Sequence, residues 1–93
     1  MTGARQICRP LLAARARYRW DKVRRQCQLV YPEGVLVLNE AGAAIVQLCD
    51  GRSFDELLAA LAAQCSDAVP PQDVRDFLVR LADKGLLCDA QDA

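Results

Sequence analysis

The chain contains no histidine. A Cys-His or Ser-His nucleophile pair therefore cannot be assembled, and the most common general base near neutral pH is missing, which excludes hydrolytic catalysis of that kind. No CxxC pair is present: Cys8, Cys27, Cys49, Cys65 and Cys88 stand at least sixteen positions apart. A zinc or iron-sulfur site is not expected from that spacing, and an odd number leaves one thiol over in any disulfide framework. The cysteines read instead as reduced small hydrophobes in or near a core. Glycine is scarce, five residues standing singly, so no Walker or dinucleotide loop can cradle phosphates. Long apolar runs are missing as well. The longest stretch free of charge, Leu57 to Ser66, is ten residues, where a membrane span needs roughly 20. The N-terminus carries Arg5 and Arg9 among scattered apolar residues and lacks the apolar core and cleavage site of a secretory signal. The expectation is a cytoplasmic protein with no membrane span. Paired carboxylates occur as Asp55 with Glu56 and Asp73 with Asp76, beside helix-start signals, where solvation or the helix dipole accounts for them. No catalytic residue, metal or cofactor is assigned, and a binding module is favoured over an enzyme.

What is present is one domain's worth of chain. Ninety-three residues, 53% hydrophobic and 26% charged, can fill one core and no more, so residues 1–93 are expected as a single domain. Residues 1–14 are expected as a flexible lead-in and 89–93 as a flexible tail. The zero net charge hides an asymmetry. Residues 1–32 hold eight basic groups (Arg5, Arg9, Arg15, Arg17, Arg19, Lys22, Arg24, Arg25) against Asp21, a net of +7, and the remainder carries −7. The two segments should attract, although exposed ion pairs contribute only ~0 to 1 kcal/mol each.

From Ala16 to Trp20, Ala16, Tyr18 and Trp20 alternate with Arg17 and Arg19, the period of a strand with one buried face. Asp21 to Arg25 turns the chain, and Gln26 to Tyr31 resumes an extended pattern as the second arm of an antiparallel hairpin. Pro32, Glu33 and Gly34 break it. Val35 to Leu38 is an uninterrupted apolar run, half of it β-branched, which predicts a third strand covered on both faces. Asn39 caps a first helix whose stripe is Ala41, Ala44, Ile45, Leu48 and Cys49, closed by Asp50 and Gly51. Ser53 with Glu56 has capping-box spacing and opens a second helix with Leu57, Leu58, Leu61 and Cys65 inward. Pro70 and Pro71 permit a third helical start, with Val74, Phe77, Leu78 and Leu81 on its buried face and Gly85 ending it. Leu86 and Leu87 then return to the core.

This order gives an α+β class: a small winged-helix-like domain, with an N-terminal three-stranded antiparallel sheet followed by a three-helix bundle. Such folds often bind DNA. DNA affinity depends on cations that neutralise phosphates, however, and the third helix sets Asp73, Asp76 and Asp83 against Arg75, Arg80 and Lys84, while the second offers Asp55 and Glu56 with no cation. A DNA-binding winged helix, touching nucleic acid through the arginine-rich hairpin, stays as the alternative, and no nucleic-acid partner is expected.

The arrangement resembles the PqqD-like proteins of pyrroloquinoline quinone biosynthesis, recognition elements for ribosomally made, modified peptides. The matching segments run through most of the chain: Arg9 to Leu12, Tyr18 to Asp21, LVYPEG from Leu29 to Gly34, VLVLNE from Val35 to Glu40, LCDG from Leu48 to Gly51, and FLVRLADKGLL from Phe77 to Leu87. The double proline and the five cysteines depart from that pattern. The resemblance implies a peptide chaperone that binds the precursor peptide PqqA and presents it to the radical S-adenosylmethionine enzyme PqqE, which cross-links a glutamate and a tyrosine of that peptide. It further implies that the peptide's leader lies as an extra strand along the third strand and against the third helix. On this chain the peptide-binding residues are then Val35, Leu36, Val37 and Leu38 with Phe77, Arg80, Leu81 and Lys84. The residues themselves agree, since the run from Val35 to Leu38 has no proline, charge or glycine to blunt an exposed sheet edge. Plain core packing equally accounts for Phe77 and Leu81, and a solvated face for Arg80 and Lys84. An unprotected edge can also pair with a second copy, so monomer and dimer are both left open.

Overall fold

The computed structural model describes residues 7–64 and 69–90. In chain order the elements are β1 (Pro10–Leu12), β2 (Arg17–Asp21), β3 (Gln26–Tyr31), β4 (Gly34–Leu38), α1 (Glu40–Gln47), α2 (Phe54–Gln64), α3 (Pro71–Asp83) and β5 (Leu87–Asp89). The fold is α+β, with the antiparallel sheet β2-β3-β4 followed by three helices and a second, two-stranded sheet β1-β5.

The helix starts arise from local chemistry. Asn39 Oδ1 accepts from the Gly42 amide at 2.7 Å and so caps α1. Ser53 Oγ accepts from the Glu56 amide at 3.1 Å while Glu56 Oε1 accepts from the Ser53 amide at 2.9 Å, a reciprocal capping box for α2. Those bonds to Ser53 hold the Glu56 carboxyl below its ordinary value. Pro71 occupies the first turn of α3, and Gly85 leaves it at φ +75°, a left-handed conformation that ends the helix.

The core lies between the inner face of the large sheet and the helices. Leu29, Leu57, Val74, Leu78, Leu81 and Leu86 are fully buried there, and Arg75 covers the buried Phe54 ring at 4.7 Å. Three expectations are corrected. First, Tyr18 and Trp20 share the inner face with Leu29 and Cys27, yet they are 36% and 52% exposed because β2 is the far edge strand. Second, β4 is not covered on both faces: Leu38 is buried, but Val35 and Val37 point outward, 51% and 56% exposed. Third, α1 buries Gly42, Ala43, Ile45 and Val46, whereas Ala41 and Ala44 are only half-buried. An eight-residue helix apolar on nearly every side has no period from which its inner face can be read.

The lead-in is likewise more structured than expected over Pro10–Leu12, which pairs antiparallel with Leu87–Asp89. The Asp89 carboxylate accepts from the Cys8 and Arg9 amides at 2.9 and 3.0 Å, and the Ala90 amide donates to the Arg9 carbonyl at 2.8 Å. Leu12 and Gly51 tie β1 to the turn after α1 through amide bonds of 3.0 and 2.9 Å to Cys49 and Pro10 carbonyls. Arg52 binds the Asp50 carboxylate at 2.8 and 2.9 Å in that turn and lowers its pKa to about 2. Of the basic N-terminal segment, Arg15 pairs with Glu33 of the acidic segment, while Arg17, Arg19, Lys22, Arg24 and Arg25 are exposed. Cys49 is buried and its thiol pushed up to about 12 by burial and the neighbouring Asp50. Cys27 is half-buried, Cys8 and Cys88 are exposed, and Cys65 lies outside the described residues.

Replacing Asn39 with alanine should destabilise the domain by about 1 kcal/mol through loss of the α1 cap. The measurement is the shift of the urea unfolding midpoint at unchanged slope.

Candidate functional site

Strand β4 ends the sheet order, with β3 on one side and no partner strand on the other among the described residues. Only two residues, Pro32 and Glu33, join β3 to β4, and Tyr31 is paired with Gly34. In a two-residue hairpin the closing residues exchange both backbone bonds, and bonded and non-bonded pairs then alternate along the ladder. Leu36, opposite Leu29, and Leu38, opposite Cys27, thus direct their amides and carbonyls to β3. Val35 and Val37 direct theirs to the open side. Their side chains meanwhile stand on the outer face with Gln28 and Val30, while Leu36 and Leu38 point toward the helices.

Beside this edge lies a groove of about 640 Å³. One wall is α3 with its C-cap, which contributes Asp73, Asp76, Phe77, Arg80, Leu81 and the cap residue Lys84. These positions fall at steps of three and four, so a full stripe of the helix runs along the cavity. The other wall is Leu36, Val37 and Leu38 of β4, continued by the cap residue Asn39 and by Gly42 and Ile45 of α1. Gly42 sits where the helix meets the aromatic wall. A Cβ there would lie 3.0 Å from Asn39 Oδ1 and 3.4 Å from Phe77 Cζ, so glycine lets the cap and the ring approach together.

Seven of the eight residues named from the sequence line this groove: Leu36, Val37, Leu38, Phe77, Arg80, Leu81 and Lys84. Val35 does not line the cavity and stands on the same strand, β4. Leu81 is buried, 1% exposed, and acts as floor, whereas Phe77 is half-buried and open to the cavity. Arg80 and Lys84 are exposed at its lip. Asn39, Gly42, Ile45, Asp73 and Asp76 also line it but were not among the expected site residues. A glycine inside a helix was the available signal for the close approach at Gly42, and Asp73 with Asp76 had been attributed to the helix start.

The description "Coenzyme PQQ synthesis protein D (PqqD)" matches residues 26–87. The chain belongs to the PqqD family. The match begins with β3 and ends at Leu87, so every groove residue falls inside the PqqD segment and β2 with its arginines precedes it. Among relatives, a protein of Rhodopseudomonas palustris strain CGA009 named "PqqA binding protein" is 38% identical over 90 residues, spanning 94% of this chain and 88% of its own. A protein of the same name from Methylococcus capsulatus is 31% identical over 70 residues, with 74% and 75% covered. The solution structure of the PqqD truncation of Methylobacterium extorquens PqqCD, described as a stand-alone recognition element for ribosomally synthesised and post-translationally modified peptides, superposes with a TM-score of 0.64. It shares 30% identity over 85% of this chain and 87% of that one.

The hydrogen-bond phase of β4 makes a direct prediction. In native-state hydrogen exchange the Val35 and Val37 amides should exchange at least roughly tenfold faster than the Leu36 and Leu38 amides, which are held by β3.

Proposed function

We propose that this PqqD-family chain is a cytoplasmic peptide chaperone, without catalytic activity of its own, that binds the PqqA precursor peptide by strand addition and presents it to the radical S-adenosylmethionine enzyme PqqE in pyrroloquinoline quinone biosynthesis. The observation that carries this reading is an edge strand with outward amides directly beside a groove that has an apolar floor and charged residues along one wall. The relatives named for PqqA binding support it, and so does the likeness to a solved peptide-recognition element.

The energetics require both parts of the site. Val35 and Val37 together offer two N–H and two C=O groups to a partner strand. Four backbone bonds at ~0.5 to 1.5 kcal/mol each contribute roughly 2 to 6 kcal/mol. Micromolar binding needs about 8 kcal/mol, and ordering a flexible peptide raises the requirement. The remainder comes from apolar peptide side chains that enter the groove over Phe77, Leu81 and Ile45, at about 1.5 to 3 kcal/mol for each one fully buried. Arg80 and Lys84 add an electrostatic component. For presentation, a peptide held along β4 by part of its length would leave the rest of its chain outside the groove for an enzyme to act upon.

Calorimetric titration tests the reading. PqqA peptide should bind with micromolar affinity, and a random DNA duplex of comparable concentration should give no saturable heat. Val37→Pro removes an outward amide without removing a bond to β3, and proline is tolerated at such an edge. The variant should stay folded and bind PqqA roughly threefold to tenfold more weakly; unchanged affinity would sink strand addition. Reversing charge with Arg80→Glu and Lys84→Glu should weaken binding more at low salt than at high salt.

A further inference from the structure

The charges along the groove are ordered. On the α3 stripe that faces the cavity, Asp73 and Asp76 stand in the first half, Phe77 in the middle, and Arg80 and Lys84 in the second half. The helix dipole alone favours acid at the start and base at the end of any helix. Outside the groove, however, the same helix shows the opposite order: Arg75 lies early, over the Phe54 ring, and Asp83 lies last. The segregation is thus a property of the cavity wall rather than of the helix as a whole. Asp76 accepts from Gln72 Nε2 at 2.9 Å, a neutral donor that orients the carboxylate and leaves its charge in place. None of the four charged wall residues is held in an ion pair among the described residues.

An open strand edge by itself accepts a partner in either direction, because both parallel and antiparallel ladders can form on it. We infer that the charge order of the α3 wall sets the direction in which an extended peptide is seated along β4, and that the peptide class recognised carries a cationic residue, an apolar residue and an acidic residue at alternate positions. This deepens the strand-addition reading and rests on it. The spacing follows from element geometry. The midpoints of the acidic and basic pairs are separated by about 11 Å along the helix at ~1.5 Å per residue. Residues on one face of an extended strand repeat every ~6.6 Å, so positions i and i+4 lie about 13 Å apart. For a peptide seated parallel to the α3 wall, a lysine at i would then reach Asp73 and Asp76 while a glutamate at i+4 would reach Arg80 and Lys84, and an apolar side chain at i+2 would fall over Phe77.

Two blocked synthetic peptides test this. Both have a threonine background and a central leucine; one carries lysine two positions before the leucine and glutamate two positions after, and the other has the two charges exchanged. Each bears a nitroxide at its N-terminus and is added at millimolar concentration to isotope-labelled protein. The lysine-first peptide should broaden amides near Val69 and Asp73, and the glutamate-first peptide those near Arg80 and Lys84, each seating favoured by roughly threefold to tenfold for two exposed ion-pair sites. A protein with Asp73→Asn, Asp76→Asn, Arg80→Gln and Lys84→Gln should lose the reversal while β4 amides still shift. If the same half of α3 broadens with both peptides, or both halves broaden equally, while β4 amides shift, the directional inference fails and strand addition stands. If β4 and groove amides do not respond to either peptide, both readings fall together.

Discussion

The site depends on the phase in which β4 enters the sheet. The two-residue connection Pro32-Glu33 closes the β3–β4 hairpin, and that short loop leaves no freedom over which residues of β4 bond inward. A slip of one residue in the pairing would exchange the roles of neighbouring positions, turning Leu36 outward in its hydrogen bonding and burying the valine side chains. With the connection as it stands, the leucines serve the core twice, through side chain and amide. The valines give the open side their backbone and the outer face their side chains.

The groove depends on a second economy of space. Gly42 lets α1 begin close beside Phe77 while Asn39 holds the cap between them. A larger residue would press on the capping oxygen or on the ring, and both line the cavity. Helix initiation and cavity shape are therefore coupled at one residue. The remaining wall is a single long face of α3, anchored by Val74, Leu78 and Leu81 in the core. It holds its charged residues at fixed positions along a rigid support.

Much of this was legible in the residues, where the signal was local. The capping box of Ser53 and Glu56, the cap at Asn39, Pro71 at a helix start and Gly85 at its end each specify a boundary through contacts within a few residues, and the structure contains all of them. The readings that missed involve cover supplied by distant chain. Alternation at Tyr18 and Trp20 marks a face but not how far the helices extend over it. An unbroken run such as Val35 to Leu38 cannot declare whether one side or two are covered. The β1–β5 pair joins three-residue strands almost eighty positions apart, too short to carry a pattern and made stable by tertiary contact. Asp73 and Asp76 were visible as charges, but their place on a cavity wall requires knowing which stripe of α3 faces β4.

The clasp made by Asp89 and the Arg9–Ala90 bond has an architectural effect. Entry and exit of the polypeptide are held side by side, far along the chain from β4. A larger protein could carry this unit as a pendant on two adjacent threads, without rerouting its own backbone through the unit.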